Sequence, residues 1–226
     1  MVDRAQQEAY ARIWNAFAHM PRLADGRHDT ANWRDRGSPF AMCVIRLPAA
    51  ALGDRLTACR QSLADCPSVR VHPDGFLHIT LQELGFVCDE PGAVDEISPA
   101  RLDEFAQSAV GPIAERPPFR IALGGVNSFQ DAAFLEVRDG GACAALHARL
   151  FELAAIPRQP RFAFVPHATI AHYIADAPAA PVRSALAPFH ETAVGAFEAT
   201  QVEIVTLDVV EPYPPLRPFA IIPLGG

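Results

Sequence analysis

The sequence has no surplus of positive charge. Its 19 basic residues, all of them arginine, stand against 26 aspartate and glutamate residues, which gives a net charge of −7 and a pI near 5.6. A protein that holds long nucleic acid needs a basic surface to neutralise the phosphates, so this balance argues against long nucleic acid as a partner. A small nucleotide or the end of an RNA remains compatible with it.

The sequence also lacks a disulfide framework and long apolar runs. Its five cysteines are an odd number and form no Cys-x-x-Cys pair, and residues 1–20 contain no apolar segment of the secretory type. The densest apolar run near the N-terminus, residues 40–52, is interrupted by Arg46 and Pro48, which excludes a membrane span there. We therefore expect a cytoplasmic monomer with reduced thiols and no membrane partner.

One short pattern occurs twice between apolar residues. His78-Ile79-Thr80 and His167-Ala168-Thr169 both alternate polar with apolar residues, as a half-buried strand does. Residues two apart in a strand share a face, so each histidine points the same way as its threonine. The tripeptide alone is unspecific, since it recurs at 28–30 and 190–192, but there its middle residue is acidic and the surroundings indicate loops.

Two imidazoles, each with a hydroxyl beside it, suit the cleavage of a phosphate ester. The reaction needs a base to deprotonate water and an acid to protonate the leaving oxygen, and histidine can do either near neutral pH. Threonine hydroxyls can donate hydrogen bonds to phosphate oxygens as their charge grows. We predict that His78, Thr80, His167 and Thr169 are catalytic, without a cofactor. A shared zinc site is the alternative, but zinc needs three or four ligands and no His or Cys stands at ligand spacing nearby.

Helical and extended segments alternate along the chain. Helices are predicted over residues 3–18, 49–65, 99–115, 141–155 and 181–188, and strands over residues 40–47, 76–87, 119–123, 132–137, 162–174 and 197–210. Strands 119–123 and 132–137 are expected to form a hairpin around Asn127-Ser128, and Gly124-Gly125 is interpreted as a turn.

Each half of the chain surrounds one motif strand, which indicates an internal duplication. We predict an α+β fold that is bilobal, with two pseudo-symmetric lobes of mostly antiparallel sheet, outer helices and a central cleft. Residues 1–38 form an N-terminal helical extension and residues 39–226 the main domain, with lobes over roughly 39–118 and 119–226.

At the two motifs the chain resembles the two-histidine (2H) phosphoesterases, and within them the 2′-5′ RNA ligase-like branch. The resemblance runs through residues 78–85 (HITLQELG) and 161–171 (RFAFVPHATIA), within a similarity over roughly residues 40–210. It implies metal-independent hydrolysis of a 2′,3′-cyclic phosphate, at an RNA end or on a small nucleotide, leaving a 2′-phosphate. It further implies that His167 activates water and that His78 protonates the departing 3′ oxygen.

Two other functions stay open. One is the joining of RNA ends through a 2′-5′ linkage in the same cleft, and the other is a non-catalytic module that binds a nucleotide. A pure binder has no need of two proton-transfer groups, so the intact His/Thr pairs favour an enzyme.

The expected substrate-binding residues lie around the motifs. The family often carries an arginine five residues after the second motif histidine, where this chain has His172. In a regular strand an odd offset places His172 on the face opposite the motif histidine, unless a bulge intervenes. By the same alternation Glu83 faces away from the first motif histidine. Arg158 and Arg161, just before the second motif, are candidates to supply the missing charge.

Aromatic residues beside the motifs are candidates to stack on a base. They are Phe76, Phe164 and Tyr173, although aromatics that flank a strand more often belong to the core. Other histidines, His28 and His72 among them, are interpreted as surface or loop residues.

Overall fold

The computed structural model describes residues 4–155 and 163–225. Its helices are α1 (Arg4–Ala18), α2 (Ala31–Arg34), α3 (Asp54–Ala64), α4 (Pro99–Ala114), α5 (Ala142–Ala154) and α6 (Ala180–Leu186). Its strands are β1 (Phe40–Arg46), β2 (Val69–Val71), β3 (His78–Val87), β4 (Glu96–Ile97), β5 (Phe119–Ser128), β6 (Ala132–Arg138), β7 (His167–Tyr173), β8 (Ala193–Ala199), β9 (Gln201–Leu207) and β10 (Arg217–Pro223). The predicted α+β class is confirmed. Among the described residues, no helix has the length and apolar character needed to cross a membrane.

The ten strands form one sheet that divides into two matching halves. One half has the order β10-β9-β1-β3 and the other the order β8-β5-β6-β7, so each motif strand lies at the inner side of its half. The halves meet where β3 and β7 pair antiparallel at Ile79 and Ala168. The long strands pair antiparallel, as predicted, and the short β4 lies parallel to β3. The two motif strands are therefore neighbours at the centre of the sheet.

The predicted lobe boundary is wrong for the C-terminal strands. Although β9 and β10 follow the second motif in sequence, β9 pairs with β1 and β10 pairs with β9, so both belong to the half that contains β3. The strand predicted over 197–210 is two strands, because β8 pairs with β5 and the chain then crosses to the other half. The apolar positions shift by one residue at this crossing, from Phe197 and Ala199 to Val202 and Ile204, and the adjacent polar residues Thr200 and Gln201 are the sequence sign of the break.

The hairpin turn lies later than predicted. β5 runs on through Asn127 and Ser128, and the Gly124-Gly125 pair forms a bulge inside the strand, where the register with β6 shifts. Gly125 has a φ of 74°, and a Cβ there would lie 2.7 Å from a carboxylate oxygen of Glu136, so the bulge requires glycine. The sequence signal for a turn was in fact a signal for a bulge.

The core packs the helices against the sheet. In α4 the Ser98 hydroxyl accepts a hydrogen bond from the Arg101 amide at 3.2 Å, and Pro99 takes the first helical position, where its missing N–H costs nothing. The apolar stripe of α4 is buried: Leu102, Phe105, Ala109 and Ile113. Burying each large side chain of this kind contributes about 1.5–3 kcal/mol.

The N-terminal segment is fixed to the half of the sheet that contains β7. In α1, Tyr10 and Phe17 are buried, and the Tyr10 hydroxyl donates a hydrogen bond of 2.5 Å to the carbonyl of Pro166, directly before the second motif. Beyond α1, the amides of Ala24 and Gly26 donate to Gln130 and Tyr173 at 2.8 and 2.9 Å. Residues 22–37 therefore form a strap that leads from α1 to the centre of the sheet.

Candidate active site

One cavity of about 790 Å³ opens where the two halves of the sheet meet. All four residues predicted to be catalytic line it: His78 and Thr80 from β3, and His167 and Thr169 from β7. The strand alternation explains this, since the intervening Ile79 and Ala168 are fully buried on the other face. The structure thus brings the two His/Thr pairs together.

Both motif histidines are held in the same way. Nδ1 of His78 lies 2.6 Å from the carbonyl oxygen of Phe76, and Nδ1 of His167 lies 2.8 Å from that of Val165. A carbonyl oxygen only accepts, so each Nδ1 is the donor, and Nε2 is the unprotonated nitrogen of the neutral ring. Each imidazole therefore keeps Nε2 for a ligand.

Burial favours the neutral form of both rings in the free protein. It lowers the pKa of His78 to about 4, with His167 and Arg46 adding to the effect and the bond to Phe76 opposing it. Burial also lowers the pKa of His167, but there the nearby Asp131 carboxylate opposes the shift. Of the two, His167 is in the environment that better tolerates a proton.

A bulge follows each motif at the same place. In β3, Thr80 and Gln82 pair with successive residues of β1, which leaves Leu81 without a partner. In β7, Thr169 and Ala171 pair with successive residues of β6, which leaves Ile170 without a partner. Each bulge shifts the alternation by one residue, three positions after the motif histidine.

The bulges reverse the expected orientation of Glu83 and Tyr173 and decide that of His172. His172 lines the cavity on the same side as the motif histidines, and so does Glu83, which was expected to face away. Tyr173 is turned into the core instead. It is fully buried, and its hydroxyl lies 2.5 Å from the Ser128 hydroxyl, so its predicted contact with a substrate base is wrong.

Phe76 and Phe164 both line the cavity, as predicted, and each also contacts an imidazole. Phe76 packs edge-on against His78, with ring centroids 5.2 Å apart. Phe164 stacks on His147 at 4.0 Å, and His147 Nδ1 lies 2.7 Å from the carbonyl oxygen of the bulge residue Leu81. A contact of either phenylalanine with a substrate base remains a prediction.

His28 is exposed in a loop, as interpreted from the sequence, whereas His72 is buried and its interpretation as a surface or loop residue is wrong. Both line the cavity beside His172, and His72 is only 1% exposed. His72 Nε2 lies 3.1 Å from His172 Nδ1, and the His28 ring centroid lies 4.8 Å from that of His172. The alternation of Val69-Arg70-Val71-His72 was the only sequence signal for β2, and it is too short to predict a strand.

Positive charge at the described cavity wall is locally balanced. The sequence contains no lysine, and the described arginines that line the cavity are each paired with a carboxylate: Arg27 with Asp25 at 2.5 Å, and Arg70 with Asp29 at 2.9 Å. Arg158 and Arg161, the predicted replacements for the family arginine, lie outside the described residues. Within residues 4–155 and 163–225, no group of three His, Cys, Asp or Glu side chains is arranged to hold a metal ion.

Comparison with known proteins places the chain. The model of the 2′-5′ RNA ligase superfamily matches residues 48–211. A search of curated protein sequences found no significant match. Among solved structures, TT0787 of Thermus thermophilus superposes with a TM-score of 0.59 and 19% identity, over 83% of this chain and 98% of that one. E. coli LigT in complex with 3′-AMP superposes with a TM-score of 0.58 and 17% identity, over 84% and 99%.

These structural similarities establish the fold, and the family model covers both motif strands. The two His/Thr pairs, their shared cavity and the matched residues all lead to one assignment. The chain belongs to the 2′-5′ RNA ligase superfamily of two-histidine phosphoesterases.

Proposed function

We propose that the protein hydrolyses 2′,3′-cyclic phosphodiesters, at an RNA end or on a small nucleotide, and leaves a 2′-phosphate. The observation that carries the proposal is the matched pair of imidazoles. His78 and His167 line one cavity from two neighbouring strands, and each keeps Nε2 for the ligand because its Nδ1 is bonded to a carbonyl oxygen.

The reaction needs one neutral and one protonated imidazole. The neutral ring takes a proton from water at Nε2 while the water oxygen bonds to phosphorus. The bond from phosphorus to the 3′ oxygen breaks, and that oxygen takes the Nε2 proton of the second ring. Water is thereby added across the P–O bond, and the two rings exchange protonation states until solvent restores them.

The threonines would stabilise the charge that grows on the phosphate. Thr80 and Thr169 stand beside the two histidines, and Thr80 Oγ1 lies 3.9 Å from the Met42 sulfur, a weak acceptor that leaves the hydroxyl able to turn to an anion. Donors placed where negative charge develops are among the largest contributions to such reactions.

The roles of the two histidines are part of the proposal. The family resemblance implies that His167 is the base and His78 the acid. In the free protein, however, the pKa of His78 is about 4, whereas Asp131 favours a proton on His167. The implied roles therefore require the anionic phosphate of the substrate to raise the pKa of His78 on binding.

Two observations support a nucleotide substrate. Solved structures of E. coli LigT contain 3′-AMP in one case and phosphate in another, and this chain has the same fold. The net charge of −7 opposes a long polyanion but not a singly charged cyclic phosphate.

The test is turnover of 2′,3′-cyclic AMP in the presence of EDTA, with the product identified by chromatography. The proposal predicts 2′-AMP, formed at the same rate with and without the chelator. Formation of 3′-AMP, loss of activity in EDTA, or binding without turnover would each overturn it. A parallel reaction with RNA fragments that end in a cyclic phosphate and a 5′-hydroxyl detects 2′-5′ joining, the alternative that the family name suggests.

A further inference from the structure

A second pair of histidines stands at the cavity wall next to the catalytic pair. His172 follows the β7 bulge and His72 follows β2, and their rings are joined by the 3.1 Å contact between His72 Nε2 and His172 Nδ1. His72 is 1% exposed and His172 is 8% exposed, so both rings are buried in the protein. Burial, together with the neighbouring histidines, holds the pKa of His172 at about 3 and that of His72 well below its usual range.

Each neutral ring carries one N–H proton, and only one of the two protons can lie in this contact. Either ring can therefore be the donor. If His172 Nδ1 donates, then His72 carries its remaining proton on Nδ1. That atom is buried and has no hydrogen-bond partner within the described residues. If His72 Nε2 donates, its Nδ1 is an unpaired acceptor instead. An unpaired buried N–H is the rarer and costlier defect, so the second arrangement is favoured.

The favoured arrangement determines what His172 offers to a ligand. With Nδ1 accepting from His72, the ring proton of neutral His172 lies on Nε2. The catalytic histidines have the opposite arrangement, with Nδ1 protonated and Nε2 bare. The cavity would thus contain two bases and one fixed donor.

We propose that His72 is a positioning residue that fixes His172 as a neutral N–H donor to the substrate phosphate, in place of a charged arginine. This inference rests on the proposed function for the identity of the ligand, whereas the proton position belongs to the free protein. A neutral donor interacts less strongly with phosphate than a guanidinium does. The difference is greatest for the product, because a phosphate monoester carries nearly two charges at pH 7 and a cyclic diester carries one. The pair of His72 and His172 therefore favours release of the 2′-phosphate product.

The proton position can be measured without any turnover. Two-dimensional ¹⁵N–¹H spectra of the full-length protein at pH 7 distinguish a protonated from a bare ring nitrogen. We expect His172 to show a bare Nδ1 and a protonated Nε2, and His78 and His167 to show the reverse. A protonated Nδ1 in His172 overturns the inference, even if the protein hydrolyses cyclic phosphates.

Two substitutions of His72 separate positioning from packing. His72→Gln can still donate from its amide to His172, and His72→Leu cannot. We expect the glutamine variant to keep the proton of His172 on Nε2 and KM for 2′,3′-cyclic AMP within about twofold of wild type. The leucine variant is expected to show mixed proton positions and a KM raised about fivefold to tenfold, with kcat little changed. Equal behaviour of the two variants contradicts the inference.

The last test replaces His172 by the arginine that the family often carries at this position. His172→Arg is expected to tighten inhibition by 2′-AMP about tenfold while lowering KM for the cyclic substrate by a smaller factor. If inhibition by 2′-AMP is unchanged or weaker, with circular dichroism showing a folded variant, His172 does not contact the phosphate and the inference fails.

Discussion

The two motif strands are built alike up to a point and then differ. In β3 and in β7 a histidine donates from Nδ1 to the carbonyl two residues before it, and a threonine follows two residues later. A bulge comes next, and the fifth residue after the histidine then faces the cavity. That residue is Glu83 in one strand and His172 in the other. The shared positions hold the groups that the proposed mechanism uses for proton transfer, and the unshared position is where the two sides of the cavity differ.

The histidines should show the largest effect. His78→Ala and His167→Ala are each expected to lower kcat for 2′,3′-cyclic AMP by about 10²–10⁴-fold, because each removes one proton-transfer group. The kcat of the double variant should be only slightly below that of the less active single variant, since the two groups act as a unit. His19→Gln, at an exposed histidine that follows α1, is the matched control. A single variant that retains full activity would break the equivalence of the strands.

The threonines should show the next largest effect. Thr80→Val and Thr169→Val are each expected to lower kcat by about 10²-fold, because each loses one donor to the charge that develops on the phosphate. Thr→Ser at the same positions keeps the hydroxyl and should restore most of the activity. Similar losses of kcat at both positions support a role for both threonines as donors to the phosphate. A loss at one position alone would restrict that role to one strand.

Acid should destabilise the protein through the buried histidines. The folded-state pKa is about 4 for His78 and about 3 for His172, below the value of about 6.5 in an unfolded chain. The unfolded state therefore binds more protons below pH 6.5, and stability falls as pH falls through this window. For each of these two histidines, the free energy of unfolding is expected to fall by about 1–3 kcal/mol between pH 7 and 4.

Urea denaturation at several pH values measures this loss. His172→Gln should flatten the pH dependence, and His19→Gln should leave it unchanged. A slope that is the same in all three proteins would show that the histidines near the cavity are not the cause.

Glu83 should show the smallest effect. Its carboxylate faces the cavity, so Glu83→Gln removes a repulsion and is expected to lower KM for the cyclic phosphate about twofold to fivefold at low salt, with kcat unchanged. Glu198→Gln, an exposed carboxylate on β8, is the control. An unchanged KM in Glu83→Gln would mean that the Glu83 carboxylate does not repel the substrate phosphate.

Local sequence patterns predict well that each motif histidine shares a face with its threonine, because a strand places residues two apart on one face whatever its neighbours are. They do not predict the bulges after Thr80 and Thr169, since a bulge is visible only in the pairing with β1 and β6. That one feature reversed the orientation of Glu83 and Tyr173 and decided that of His172. The return of β9 to β1 escaped prediction for a similar reason: it is a long-range pairing with no local signal.

The central claim is that the two strands supply one acid and one base to a single reaction, and a pH–rate profile of the variants tests it most directly. Wild type should give a bell-shaped kcat/KM with its optimum below pH 6.5, because the pKa values of both histidines are lowered in the free protein. In the residual activity of His167→Ala the limb that rises with pH should disappear, and in His78→Ala the limb that falls with pH. The exchange of these two results would reverse the roles of the histidines. A complete bell in either variant would contradict the two-histidine mechanism.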